Sequence, residues 1–422
     1  MMARLAYGAL LWLALPFVVA RLAWRARREP RYLEHLGERF GGAPRPVDGP
    51  VIWVHAVSVG ETRAAEPLVA VLLHDHPRAT ILLTHMTPTG RATGVEIFGD
   101  RVMRSWLPWD LGFAVRRFLD RARPAFGVLL ETEVWPNLLG ECHARDIPVF
   151  LVNARLSKRS AAGYARVAPL AREALGHLAG VAAQTLEDAR RLEALGAKDV
   201  AVTGNIKFDL AVPEDIETRG RNLRSIFGPG RRIWVVGSTR DGEESLLVEA
   251  IEEADPAPDV LVVVVPRHPQ RFEEVASLLS RGGAPVARRS LARPVPAAAR
   301  YALGDSMGEM LGYCAAADIV FVGGSLLPLG GQNLIEAAAC GCPSVVGPHT
   351  FNFLQATADA IAAGAARRVD DADGLAAAIS RALAEADELG EMRAAAAGFA
   401  AAHRGATART VVLIRSAITG LR

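Results

Sequence analysis

A chain of 422 residues, half of them hydrophobic and 22% charged, is too long for one ordinary core and too apolar for disorder; it calls for two or three domains of about 100–200 residues each. Its net charge of +2 supplies no global field that would gather nucleic acid. The four cysteines, Cys142, Cys314, Cys340 and Cys342, lack the paired spacing of a zinc site and read as small core residues in a reducing compartment.

The chain begins with a run free of charge, Leu5 to Ala20 (LAYGALLWLALPFVVA). It is short against the roughly 20 residues of a straight span. Leu22, Ala23 and Trp24 extend it if Arg21 snorkels. Only Arg4 precedes the run, whereas Arg21, Arg25, Arg27, Arg28 and Arg31 follow it. Positive charge on that side keeps the body of the protein cytoplasmic, and a secretory signal would carry its charge ahead of the apolar run. A single span and a shallow monotopic anchor both stay open, since Pro16 permits a bent or shallow helix. The basic run serves as a topology signal and also suits anionic head groups.

From Val51 the chain alternates short apolar runs with amphipathic stretches. Strands are predicted at Val51 to His55, Thr80 to Thr84, Val102 to Trp106, Phe126 to Leu130, Pro148 to Val152, Val181 to Gln184 and Val200 to Thr203. Helical patterns such as Glu61 to His74 and Leu111 to Arg121 separate them. This alternation predicts a parallel sheet covered on both faces. The rhythm weakens at 211–230, where Pro213, Gly228, Pro229 and Gly230 fall, and that stretch reads as a linker. It resumes at Ile233 to Gly237, Val260 to Val265, Ile319 to Val322, Ser344 to Val346 and Ala366 to Val369. The expected organisation is an anchor with basic flank (1–28), an amino-terminal α/β domain (29–210), the linker, and a carboxy-terminal α/β domain (231–422) whose final helices pack back. Two such domains facing a cleft suit a transferase.

The polar motifs sit where strands end. His55 to Thr62 (HAVSVGET) places Glu61 in the first turn of a helix. A carboxylate there can act as general base for an alcohol, and the helix dipole alone also favours an acid at that position. TPTG (Thr87 to Gly90) is another helix start, with amides for an anion or for ordinary capping. ETEVWPN (Glu131 to Asn137) sets two carboxylates one residue apart after a strand. NARLSKRS (Asn153 to Ser160) offers Arg155, Lys158 and Arg159, as phosphate ligands or as a solvated basic face. GNIKFD (Gly204 to Asp209) carries Lys207, one of three lysines in the chain, whose cation can stabilise a leaving group.

The second half offers GSTRDGEE (Gly237 to Glu244), VPRHPQR (Val265 to Arg271), DSMGEM (Asp305 to Met310) and the stretch Gly323 to Phe353. This last stretch predicts a glycine-rich loop followed by a helix opening near Gln332, with Glu336 about one turn in. Glycines let backbone amides approach a phosphate at a helix start, and the carboxylate suits a ribose diol; a loop that merely packs fits as well. It is neither a P-loop nor a dinucleotide fingerprint.

In this order, behind an apolar amino terminus, HAVSVGET, TPTG, ETEVWPN, NARLSKRS, GNIKFD, VPRHPQR, DSMGEM and GGSLLPLGGQNLIEAAA resemble the motif series of bacterial 3-deoxy-D-manno-octulosonic acid (Kdo) transferases, over nearly the whole chain. Asn333 to Pro343 alone would fit many glycosyltransferases. The resemblance implies a GT-B glycosyltransferase fold, two Rossmann-like domains facing a cleft, with an amino-terminal membrane-anchor helix. It implies transfer of Kdo from CMP-Kdo to a phosphorylated lipid A precursor, lipid IVA, in lipopolysaccharide biosynthesis. The implied reaction is an inverting single displacement without metal or cofactor. Glu61 matches the family's proton acceptor, and Glu131 and Lys207 match positions that support the transition state. Pro266, Arg267, Met307, Gly308, Glu309, Asn333, Leu334, Ile335 and Glu336 match the CMP-contacting segments. The implied partners are the donor, the lipid acceptor and a membrane, with no nucleic acid. The implied location is the cytoplasmic face of the bacterial inner membrane.

Overall fold

The computed structural model describes residues 2–45, 49–280 and 286–419. The chain forms two compact units, one of residues up to Asp209 together with those from Arg404 on, the other of Leu210–His403.

The first unit is built on seven parallel strands: β1 (Val51–His55), β2 (Thr80–His85), β3 (Met103–Trp106), β4 (Pro124–Leu130), β5 (Val149–Ala154), β6 (Gly180–Ala183) and β7 (Val200–Val202), in the order β3-β2-β1-β4-β5-β6-β7. The strands read as unbroken apolar runs because helices cover both faces. Their side chains divide by the two-residue period of the strand. Trp53, Leu82, Leu129, Leu151 and Val181 fill the core on one face. Ile52, Val54, Leu83, Val128 and Phe150 fill the other. The chain moves outward from β1 to β3, then returns to lay β4 on the opposite side of β1. That reversal opens a crevice at the carboxyl ends of β1 and β4, where ligands bind in open α/β sheets.

The second unit repeats the plan with β8 (Arg232–Thr239), β9 (Val260–Pro266), β10 (Ala287–Arg288), β11 (Tyr301–Leu303), β12 (Ile319–Val322), β13 (Ser344–Val346) and β14 (Ala366–Arg368), in the order β10-β11-β9-β8-β12-β13-β14. Here the reversal lies between β8 and β12. Both units are Rossmann-like.

Three features depart from the sequence reading. Strands β10 and β11 were not signalled: two or three residues are too few to show a period. Residues 211–230 contain the helix Ile216–Phe227, whose Leu223 and Phe227 are buried in a core of the second unit. The glycines and proline that weaken the rhythm flank this helix. The two last helices part company: Ala386–His403 stays with the second unit, and Ala406–Thr419 belongs to the first. Asp209 fixes the return, accepting the Gly405 N–H at 2.6 Å and the Thr407 N–H, while Arg409 Nε donates to the Thr203 carbonyl at 2.8 Å.

Candidate functional site

In the first unit the switch point between β1 and β4 gathers most of the polar motifs. After β1 the chain turns at Ser58, whose hydroxyl caps the helix Val59–Asp75. Glu61, in the first turn, reaches back: Oε2 accepts the Val57 N–H at 2.7 Å and Oε1 accepts the Ser58 hydroxyl at 3.0 Å. This is a variant of the capping box, reaching one residue further back than the cap itself. Burial pushes the Glu61 carboxyl above its usual range, the Val57 N–H opposes that, and the negative charges of Glu131 and Glu133 add to it.

Glu131 follows β4 with φ 62°, and Asn153, near the end of neighbouring β5, has φ 53°. Both are left-handed, a conformation that costs non-glycine residues energy and recurs where side chains are aimed at a site. Glu131 Oε1 accepts from Lys207 Nζ at 2.7 Å, and its Oε2 lies 3.8 Å from Arg155 Nε. Asn153 explains the reach of Lys207: its Oδ1 takes the Ile206 N–H at 3.1 Å, fixing the short helix Ile206–Asp209 over the end of β5. Glu133 accepts the Trp135 Nε1–H at 2.7 Å and lies 3.7 Å from Nε2 of His55. His55 is fully buried, its Nδ1 against the Thr84 carbonyl at 3.1 Å and hydroxyl at 2.9 Å. Thus Glu61, Glu131, Glu133, His55 and Lys207 share one sheet edge. Thr87 of TPTG caps the next helix, accepting the Gly90 N–H at 3.1 Å. Lys158 and Arg159 are exposed on the helix Lys158–Ala165, while Arg155 alone of that motif approaches Glu131.

In the second unit the loops after β8, β9, β11 and β12 share the carboxyl edge. Ser238, φ 56°, bends the end of β8. Glu243, fully buried, then binds two loops together: Oε2 accepts the N–H of Arg240 at 2.9 Å and of Gly324 at 2.6 Å, and Oε1 that of Leu326 at 3.1 Å. Its neighbour Glu244 takes both bonds from Arg271 Nη1, at 2.7 and 2.8 Å. Pro266 is buried at the end of β9 and Arg267 is exposed beyond it. Burial, then the charges of Arg240, Arg267 and Arg271, hold His268 below the ordinary histidine range. Arg240 and Arg267 thus bring positive charge to this edge, which suits an anion.

Met307 is exposed, Gly308 has φ 76°, and Glu309 pairs with Arg289 Nη2 at 2.9 Å. The helix after the glycine-rich loop is Ile335–Ala339, later and shorter than the opening expected near Gln332. Gly330 and Gly331, φ 94° and 74°, prolong the loop. Asn333 then turns the chain through its own side chain, Oδ1 accepting the Ile335 N–H at 3.1 Å. Its Nδ2 donates to Glu336 Oε1 at 3.2 Å, while Leu334 and Ile335 point into the interior. Glu336 thus stands in the first turn, tied to Asn333. Among the described residues no three His, Cys, Asp or Glu side chains gather to hold a metal ion.

Residues 34–210 match the family profile described as 3-deoxy-D-manno-octulosonic-acid transferase. A 3-deoxy-D-manno-octulosonic acid transferase of Bordetella pertussis is 46% identical over 415 residues, covering 93% of this chain and 95% of that protein. The enzyme of the same name from Haemophilus influenzae is 37% identical over 83% of each chain. Among solved structures, UDP-GlcNAc 2-epimerase of Neisseria meningitidis aligns with a TM-score of 0.58 at 14% identity, over 87% of this chain and 100% of that one. At that identity only the fold is shared.

Proposed function

The chain belongs to the Kdo transferase family, and from that premise we propose that it moves Kdo from CMP-Kdo to lipid IVA by an inverting single displacement, with Glu61 as general base. One observation carries the reading: Glu61 stands at the first unit's switch point with its carboxyl raised by burial, beside the pair formed by Glu131 and Lys207.

The chemistry is as follows. An acceptor hydroxyl attacks the anomeric carbon of Kdo while the bond from that carbon to the CMP phosphate oxygen breaks. The hydroxyl proton passes to the Glu61 carboxylate, and CMP leaves with the electron pair. Each Glu61 oxygen accepts one hydrogen bond and retains a further lone pair. A raised pKa brings the base nearer the operating pH. Lys207, oriented by Glu131, stabilises charge developing in the transition state. Pro266, Arg267, Met307, Gly308, Glu309, Asn333, Leu334, Ile335 and Glu336 form the CMP-contacting segments, with the cationic edge receiving the phosphate. The apolar helix Met2–Ala26 and the arginines behind it support a location on the cytoplasmic face of the inner membrane, where the lipid acceptor resides.

The test is release of CMP by the purified protein supplied with CMP-Kdo and lipid IVA, with mass spectrometry of the lipid. Transfer of Kdo to lipid IVA is expected. Turnover with a UDP-sugar in preference to CMP-Kdo would reject the donor, and a lipid product of unchanged mass would reject the acceptor.

A further inference from the structure

The helix Met2–Ala26 is the one described helix long and apolar enough to cross a membrane. Its burial follows the helical period. Arg4, Tyr7, Gly8, Leu11, Ala14 and Leu15 are half-buried, at spacings of three and four that set them on one face. From Pro16 to Arg21 every residue is exposed.

The half-buried face is held to the first unit by defined contacts. Arg4 Nε lies 3.8 Å from Glu173 Oε1. The Tyr7 hydroxyl faces the Asp110 carboxylate. Gly8 passes Asn137 at ordinary packing distance, a Cβ there lying 4.0 Å from its Nδ2. Trp12 stacks on Phe113 at 5.4 Å, and the aromatic row continues through Phe40 to Trp109. Asp110 also accepts the N–H groups of Asn137 and Leu138 at 2.9 and 2.8 Å, so one buried carboxylate both caps the helix Pro136–His143 and tethers the amino-terminal helix.

These contacts leave too little free helix for a span. The stretch Pro16–Arg21, with protein on no side, is about 9 Å long, whereas the hydrocarbon core is about 30 Å thick. The outward face is strongly apolar: Leu13 and Phe17 are 74% and 78% exposed. Apolar surface of that kind needs a cover. Charge identifies the cover. No acidic residue precedes Glu29, while Arg21, Arg25, Arg27 and Arg28 adjoin the apolar face, the complement of an anionic lipid leaflet.

We propose that this helix is a monotopic anchor, lying in the plane of one leaflet with both ends on the same side of the membrane and Leu5, Leu10, Leu13 and Phe17 among the acyl chains. The proposal rests on the membrane location stated above and fixes its geometry.

The test places an epitope tag on the amino terminus of the full chain in a Gram-negative host and exposes sealed spheroplasts to protease. The chain is expected to sediment with membranes, with the tag protected until the cells are lysed. Removal of the tag in sealed spheroplasts would establish a span and overturn the monotopic geometry, leaving the membrane location standing. Recovery in the soluble fraction would overturn both, and a soluble dimer would assign the apolar face to a second copy. The doubly substituted Leu13→Asp, Phe17→Asp chain changes only outward-facing positions. Its partitioning onto phosphatidylethanolamine–phosphatidylglycerol vesicles is expected to fall at least ~10-fold; unchanged partitioning would also overturn the proposal.

Discussion

Replacing Glu61 by Gln separates its role as a cap from its proposed role as base, because the structure lets the cap survive while the proposed base is lost. Glu61 Oε2 takes the Val57 N–H at 2.7 Å, and the amide oxygen of Gln can do the same. Oε1 faces the Ser58 hydroxyl at 3.0 Å, which can turn to accept from an amide nitrogen. The loss of stability is therefore expected to stay under about 1 kcal/mol. Loss of a general base lowers kcat by about 10²–10⁴-fold. The pH dependence is the sharper measure. The proposed mechanism needs the carboxylate deprotonated, and burial with the charges of Glu131 and Glu133 raises its pKa. The acid limb of kcat/KM in wild type thus lies above the ordinary carboxylate range. Glu133→Gln removes one of those charges and moves the limb to lower pH. The stability linkage has the same origin. A raised folded-state pKa means the fold binds the proton more tightly than the unfolded chain. That contribution is present below the unfolded carboxylate's pKa and is lost as pH rises through the folded value. CMP release measured across pH on the three proteins decides the matter. A Glu61→Gln enzyme that keeps wild-type turnover, or keeps the acid limb at the same pH, would refute the base assignment.

Lys207→Met retains the aliphatic stem but removes the charge 2.7 Å from Glu131; kcat is expected to fall about 10²–10³-fold with KM little changed, and a purely higher KM would assign Lys207 to ground-state binding instead. Glu243→Ala strips the acceptor from three buried loop N–H groups. At roughly 1–3 kcal/mol for each group left unsatisfied, both the melting temperature and the affinity for CMP are expected to drop, by calorimetry; native values for both would show that the loops hold without it. Asp209→Ala removes the acceptor at the start of the final helix and is expected to cost about 0.5–2 kcal/mol, read as a lower denaturant midpoint at unchanged slope.

The strands were legible because parallel sheets bury both faces, so β1, β12 and β13 appear as apolar runs with the same limits in sequence and structure. What failed to show is what depends on distant residues. Asn153 looks like a loop residue until its Oδ1 is seen holding Ile206, 53 positions away. Asp209 looks like the end of a motif until Gly405 comes back to meet it. The tether of the amino-terminal helix to Asp110 is equally invisible in a hydropathy pattern. Strand order is the deepest of these omissions. HAVSVGET and ETEVWPN are separated in the chain by β2, β3 and β4 and the helices between them, and no spacing rule brings them together. The reversal that places β4 beside β1, with His55 opposite Leu129, does so. Only then do Glu131 and Glu133 become charges that act on Glu61, adding to burial in raising the proton affinity of a first-turn glutamate that the helix dipole alone would account for.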